Sequence, residues 1–381
     1  MTLTTFVTKS AFRNKRRSIL TVISLGVSLF LLTFLLTLWK GFYIDQGAPD
    51  SALRIMTRHR TSLANFLPAY YRGKIRTIPG VTHIVPMTWF GGKYKDDKPE
   101  NFFAQFATDP AEYMLVAADK EMPADQLAAW QHDRSGCIVD SVLATKHGWK
   151  IGDHIHLQGS IFDTNLDLTL RGIYTIDPPT SNLYFDQEYL EQSIPWFKDT
   201  AGFYFIRTDS AEDMPKVARA IDDEFHNAVA PTKSESEQAF KLDFIATLGN
   251  VKAFILSICA AVVFTTLLVC ANTMAMSIRE RTREVAVLRT LGFTRQRILS
   301  LLLGESVTIA ILGGLVGLLF ATLVMNVLIR PGIGLPTQLK LTSLTVFVVM
   351  FVAALVGVIS GLIPSYRASH VGIVDGLRHI G

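Results

Sequence analysis

Charge is what this chain is shortest of. Asp, Glu, Lys and Arg make up 18% of its 381 residues, against about 25% in soluble domains, and the deficit is local. None occurs in Ser18–Trp39, Ala253–Ile278, Ser306–Ile329 or Leu341–Tyr366, runs of 22, 26, 24 and 26 residues. A bilayer core needs roughly 20 apolar residues at about 1.5 Å each, so all four runs are long enough to span. No run carries a charged residue at mid-bilayer, which argues against an ion channel or a proton-coupled carrier.

Other absences narrow the function further. Of three cysteines, Cys137 stands alone between the first two runs, and Cys259 and Cys270 lie inside the second. No disulfide framework can therefore form within the region between those runs. There is no G-x-x-x-x-G-K-[ST] to cradle ATP; Gly91-Gly92-Lys93 lacks both the earlier glycine and the hydroxyl residue. H-E-x-x-H and G-x-S-x-G are also missing. Asp153, His154 and His156 sit together, but two imidazoles at i and i+2 fit an exposed strand face as well as a ligand pair. The chain is expected to have no catalytic residues, no metal and no cofactor.

What is present sets a topology. The first run is too long for the apolar core of a signal peptide, about 7–15 residues, and no A-x-A site follows, so it reads as a retained anchor. Residues 1–17 carry Lys9, Arg13, Lys15, Arg16 and Arg17 without an acid, and 279–297 carries six arginines. The connection at 330–340 holds only Arg330 and Lys340. By the positive-inside rule both termini and the 279–297 loop face the cytoplasm of a bacterial inner membrane, and 41–250 faces outward. The net charge of +4 follows from topology and gives no indication of nucleic acid.

The expected fold class is a membrane α-helical protein of four transmembrane helices, with a large α+β extracytoplasmic domain between helices 1 and 2. The divisions are a cytoplasmic elbow at 1–17, spans at 18–40, 253–278, 298–329 and 341–363, and the outer domain at 41–250. A coupling loop at 279–297, an outer loop at 330–340 and a cytoplasmic tail at 364–381 complete it. The elbow suits either an interfacial amphipathic helix or a plain basic flank. In the outer domain THIVPMTWF, NFFAQFA, CIVD, HIHLQGSIF, DLTLRGIYTI and GFYFIR read as strands, and PADQLAAWQHD and DMPKVARAIDDEFHNAV as helices. That mixture suggests two lobes. Residues 234–252 read as a helix continuing into the second span, a stalk mirrored by helical residues 42–66. Gly313, Gly317, Gly357 and Gly361 form small-residue patterns for close helix packing. Glu305 is placed to pair with a loop arginine at the cytoplasmic interface.

The cationic loop has more shape than a topology signal needs. Val285, Val287, Leu288 and Leu291 interrupt its charges, Gly292 stops a helix and Thr294 can cap another. A helix–turn–helix of this kind suggests docking into a groove on a partner protein, the alternative being a helix lying on the membrane surface.

The segment NTMAMSIRERTREVAVLRTLGFTRQRIL, Asn272 to Leu299, resembles the coupling segment of MacB/FtsX-like permeases of ABC transporters. Asn272, Met274, Arg281, Arg283, Glu284, Leu288, Arg289, Gly292 and Arg295 match its pattern; Ala286 stands for the usual Gly and Phe293 for a frequent Ala. AFRNKRRSILTVISLGVSL resembles the family's elbow and first span, and VLATKHGWKIGDHIHLQG with LRGIY resembles part of its periplasmic core. The tail IPSYRASHVGIVDGLRHIG matches at Pro364, Arg367, Ala368, Leu377 and Arg378, with Ile373 in place of the usual proline. The resemblance implies a non-enzymatic permease subunit, one of a homo- or heterodimer on two ATPase subunits that bind the ATP. Arg281, Arg283, Glu284, Leu288, Arg289, Gly292 and Arg295 would couple to the ATPase, and Glu305, Arg367 and Arg378 would lie at that interface. Motion would pass to the outer domain for efflux or for lipoprotein or lipid export, with a periplasmic adaptor or lipoprotein carrier as further partner. The alternative is signalling, in which the outer domain activates a cell-wall hydrolase or reports envelope stress.

Overall fold

A computed structural model describes residues 15–43, 49–177, 179–247, 250–328 and 341–371. Most of the elbow, the 330–340 loop and the tail beyond 371, with Arg378, lie outside these residues. The chain opens with α1 (Lys15–Tyr43), a 3-10 turn (Pro49–Leu53), β1 (Arg54–His59), β2 (Leu67–Pro68), α2 (Tyr71–Arg76) and β3 (Val81–Trp89). Next come β4 (Ala104–Thr108), α3 (Tyr113–Val116), α4 (Ala124–His132), β5 (Gly136–Asp140), α5 (Ser141–His147) and β6 (His154–Gln158). Then follow β7 (Asn165–Tyr174), β8 (Asn182–Asp186), α6 (Gln187–Ser193), β9 (Thr200–Ala201), β10 (Phe203–Thr208), α7 (Met214–Glu224) and β11 (Thr232–Ser236). The last five elements are α8 (Glu237–Thr247), α9 (Val251–Glu280), α10 (Thr282–Thr290), α11 (Arg295–Leu328) and α12 (Ser343–Ser369). The described residues form two compact units: α1 with α9 to α12, and the elements between α1 and α9.

The second unit is built on a nine-stranded mixed sheet in the order β11-β1-β10-β3-β4-β8-β5-β7-β6; β2 and β9 pair separately. β4 runs parallel to β8 and β5 parallel to β7, and the other pairs are antiparallel. Both faces of the sheet are covered. One face carries Met56, Val85, Ile138, Tyr184, Phe203 and Phe205 beneath Tyr113 and Trp130. The alternate residues Ile55, Ile84, Tyr204 and Ile206 pack under α2 and α7. Cys137, Val139, Leu183 and Phe185 pack with α5 and α6 in a separate cluster. The two expected lobes are thus two clusters on one face, joined by a single cluster on the other.

Local sequence explains several elements. β5 is buried at every position, so its CIV run is continuous rather than alternating. β6 ends the sheet and alternates exposed and buried residues, which places His154 and His156 on its open face. No metal-binding group of His, Cys, Asp or Glu occurs among the described residues. Pro86 is tolerated in β3 because pairing with β4 begins only at Met87, so no ladder bond is lost. In α5 the Asp140 carboxylate caps the Val142 N–H at 2.8 Å, and Gly148 at φ 70° ends the helix.

The expected stalk helices are corrected. Residues 54–59 form β1 rather than helix, and 232–236 form β11. α8 and α9 are separate helices: Asn250 has a non-helical backbone (φ −77°, ψ 65°) and its side chain caps the Ala253 N–H. The apolar signal could not place these breaks, because β1 has both neighbours and both faces covered and so carries no period-two pattern.

In the first unit, Lys15–Gly41, Lys252–Glu280, Arg295–Asn326 and Ser343–Ser369 are four helices long and apolar enough to cross a membrane. α12 runs through Pro364 to Ser369 rather than ending before it. The glycines lie where helices approach most closely. A Cβ on Gly317 would sit 2.7 Å from the Gly26 carbonyl oxygen, and one on Gly357 2.8 Å from the Val307 Cα. Gly313 faces Leu25 and Gly361 faces Ser306 in the same way.

Candidate coupling site

The cationic loop folds as the sequence signals direct. α9 ends at Glu280, Arg281 takes a non-helical backbone, and α10 begins at Thr282. Gly292 adopts φ 88°, a left-handed conformation that glycine accepts without a Cβ penalty. The chain reverses there: the Gly292 N–H donates to Arg289 O and the Phe293 N–H to Leu288 O, both at 3.1 Å. Thr294 then caps the first turn of α11, its hydroxyl accepting from the Arg297 N–H at 3.4 Å.

α10 has an inward and an outward face. Val285 and Ala286 are 4% and 2% exposed. Val285 joins Ile278, Ile298, Leu302 and Ala368 in one cluster, with Leu288 packed against it. Outward stand Val287, Leu291 and Phe293 at 43%, 71% and 37% exposure. Arg279, Arg283, Glu284, Arg295 and Arg297 are exposed beside them.

The remaining two loop arginines point inward. Arg281 donates to the Glu305 carboxylate at 2.6 Å, with both side chains buried. A buried pair of this kind fixes geometry more surely than it adds stability. It joins the α9–α10 junction to α11. Arg289 donates to the Val371 carbonyl at 2.7 Å, just beyond α12. Arg17 of α1 binds Glu280 at 2.6 Å and Ser277 at 2.9 Å. These bonds tie α11 and the end of α12 to α10 and its junction with α9, and tie α1 to the last turns of α9. Arg17, Ser277 and Val371 carried no sequence signal, because their partners lie 82 to 263 residues away.

The expected residues therefore divide. Arg283, Glu284 and Arg295 are presented outward with Gly292 at the turn. Arg281, Leu288 and Arg289 are engaged within the bundle. Glu305 is buried with Arg281, and Arg367 is exposed in the last turn of α12. The geometry presents a cationic and apolar surface on a braced helix.

Comparison with known proteins places this surface in context. The model of the FtsX-like permease C-terminal domain matches residues 256–373, and that of the MacB-like periplasmic core domain matches 18–224, more than half of the chain. The macrolide export ATP-binding/permease protein MacB of Rhodopirellula baltica is 36% identical over 108 residues, 28% of this chain and 15% of that protein. YknZ of Bacillus subtilis, an uncharacterised ABC transporter permease, is 30% identical over 186 residues, covering 46% of this chain and 44% of its own. MJ1507 of Methanocaldococcus jannaschii, described in the same words, is 22% identical over 404 residues, 98% and 97% of the two chains.

Proposed function

Since the chain belongs to the ABC transporter permeases that join an FtsX-like membrane domain to a MacB-like periplasmic core, we propose that it is the membrane subunit of a motor whose ATPase is a separate chain. Two permease copies, identical or paired with a homologue, sit on two ATPase subunits, which bind the ATP. The outward face of α10 docks in the ATPase, and nucleotide-driven movement of that helix passes through the bundle to the outer domain. The work done there is export, of a small molecule or of a lipoprotein or lipid.

The observation that supports this reading most is the division of α10. Its inner face is tied to α11 and to the end of α12, while Arg283, Val287, Leu291 and Arg295 stand free of the bundle core. A signal for membrane topology needs only loose arginines; a lever needs a braced helix with an exposed face. Burying a leucine-sized group contributes about 1.5–3 kcal/mol, and an exposed ion pair about 0–1 kcal/mol. Leu291→Asp should therefore lower recovery of the co-purifying ATPase by roughly tenfold to a hundredfold, with insertion unchanged. Full recovery of the ATPase with Leu291→Asp would refute docking through this face.

Orientation is tested separately. Cys137 is fully buried, and burial raises its thiol well above the ordinary value, so it should stay unlabelled by an impermeant maleimide. Val229 is 98% exposed. A cysteine at 229 should label on intact spheroplasts and one at Thr282 should not; the reverse pattern would invert the topology.

A further inference from the structure

Arg54 opens β1, yet it is only 3% exposed. Its guanidinium donates two bonds to Asp119, at 2.6 and 2.9 Å, and its Nε donates to Glu237 at 2.7 Å. Asp50 lies 3.5 Å away and is held in turn by two 2.7 Å bonds from Arg207. These partners come from distinct parts of the unit. Asp50 belongs to the turn that follows α1 in sequence, Glu237 opens α8, which precedes α9, Arg207 lies in β10, and Asp119 lies in the turn after α3. Both segments adjoining a membrane-spanning helix therefore meet at one buried side chain.

α8 has two further attachments. Phe240 packs on Phe203 with ring centroids 5.6 Å apart. Asp243 binds Arg58 and, at 2.8 Å, Lys233. Arg58 also holds Glu235 of β11 at 3.1 Å. Peeling α8 from the sheet would take the Glu237 carboxylate away from the buried Arg54 guanidinium, and removing one partner of a buried ion pair is strongly destabilising. Peeling the 49–53 turn would strip Asp50 from two arginines at once.

We infer that Arg54 is the node of a clasp that locks the two membrane-adjoining segments, 49–53 and 237–247, to the core sheet, so that displacement of either moves the sheet instead of detaching from it. This inference rests on the functional reading above only for the source of the displacement. Arg54 is a positioning residue: it touches no substrate, and its effect runs through the segments it holds.

The test uses the full permease–ATPase complex in nanodiscs, read by amide hydrogen exchange with and without vanadate-trapped nucleotide. Arg54→Met and Glu237→Gln should raise exchange in 49–53 and 237–247 by about tenfold or more, leaving 136–140 and 165–174 unchanged. ATP hydrolysis should persist, and the nucleotide-dependent change in the sheet should be lost. A covalent substitute is available, because Thr57 and Ser234 face each other across β1 and β11 with hydroxyl oxygens 2.8 Å apart. With Thr57→Cys and Ser234→Cys added to Arg54→Met, oxidation should restore the nucleotide response and reduction should remove it again. A response in Arg54→Met and Glu237→Gln equal to the unmodified complex would overturn the clasp. A uniform rise in exchange across the sheet would do the same, since it would mark a general loss of stability. If the unmodified complex shows no nucleotide response, the motor reading fails, and the locality of the exchange change decides the clasp alone.

Discussion

The two units handle buried arginine differently. In the membrane unit Arg281 meets Glu305 at 2.6 Å inside a bundle whose helices touch through glycine. In the outer unit Arg54 sits among Asp50, Asp119 and Glu237, with Arg207 and Lys120 close by. The first arrangement sets an angle between helices; the second ties several chain segments to one point. On the proposed motor reading, a bundle that moves can carry few such bonds, whereas a sheet moved as a body gains from many.

Arg281→Met leaves the Glu305 carboxylate buried without its guanidinium, and should cost about 3–5 kcal/mol, read as a fall in the thermal midpoint in detergent. Adding Glu305→Gln should recover much of it. If the single variant is as stable as the parent chain, the pair is not a structural pin.

Glycine should behave oppositely in the two units. Gly317→Ala places a methyl 2.7 Å from a backbone carbonyl and should destabilise the bundle by about 1–3 kcal/mol.

The outer unit carries its own pH signature. Burial is the main reason that the Asp186 carboxyl is raised to about 6, and Glu188 and Asp109 add to it. A carboxyl raised in the fold favours the neutral form, so its contribution is present at low pH and is lost as pH rises through about 6. Asp186→Asn keeps the cap on α6 and stays neutral, so it should stabilise the chain by about 1 kcal/mol at pH 8. The gain should vanish by about pH 4, where the native carboxyl is already protonated. The clasp has the opposite sign. Burial alone would raise Asp119 and Glu237, but Arg54 with Lys120 and Lys241 outweighs it and holds both below the ordinary range. Their contribution is therefore complete at neutral pH and is lost only as pH falls below about 4.

The smallest effect belongs to Gly73 in α2. It has nothing within 4 Å of a built Cβ, so Gly73→Ala should stabilise by about 0.5–1 kcal/mol. A thermal midpoint unchanged or lowered by Gly73→Ala would show that the space around α2 is not what decides.

Much of the membrane unit was readable from composition, because lipid demands uncharged runs and the turn at Gly292 demands a left-handed residue. Which of the six arginines turn inward was not readable. Arg281 and Arg283 are two residues apart on one charged stretch, and only the position of Glu305 on a later helix separates them. The Glu305 pairing was anticipated because so few acids adjoin the spans. The outer sheet was partly readable: β3, β5, β7 and β10 are rich in β-branched and aromatic residues. β1, with RIMTRH, and the SES end of β11 read as helix in the sequence, since their charged side chains belong to buried ion pairs rather than to a solvent face. The clasp was invisible for the same reason, because Arg54 and Glu237 stand 183 residues apart.

Site-specific photocrosslinking shows whether α10 offers one face to the bundle and the other to an ATPase. A photoreactive side chain at Leu291, 71% exposed, should crosslink to the ATPase in the native membrane, and the same group at Val285, 4% exposed, should not. Crosslinking of residue 291 to lipid alone, with no ATPase adduct, would contradict the account.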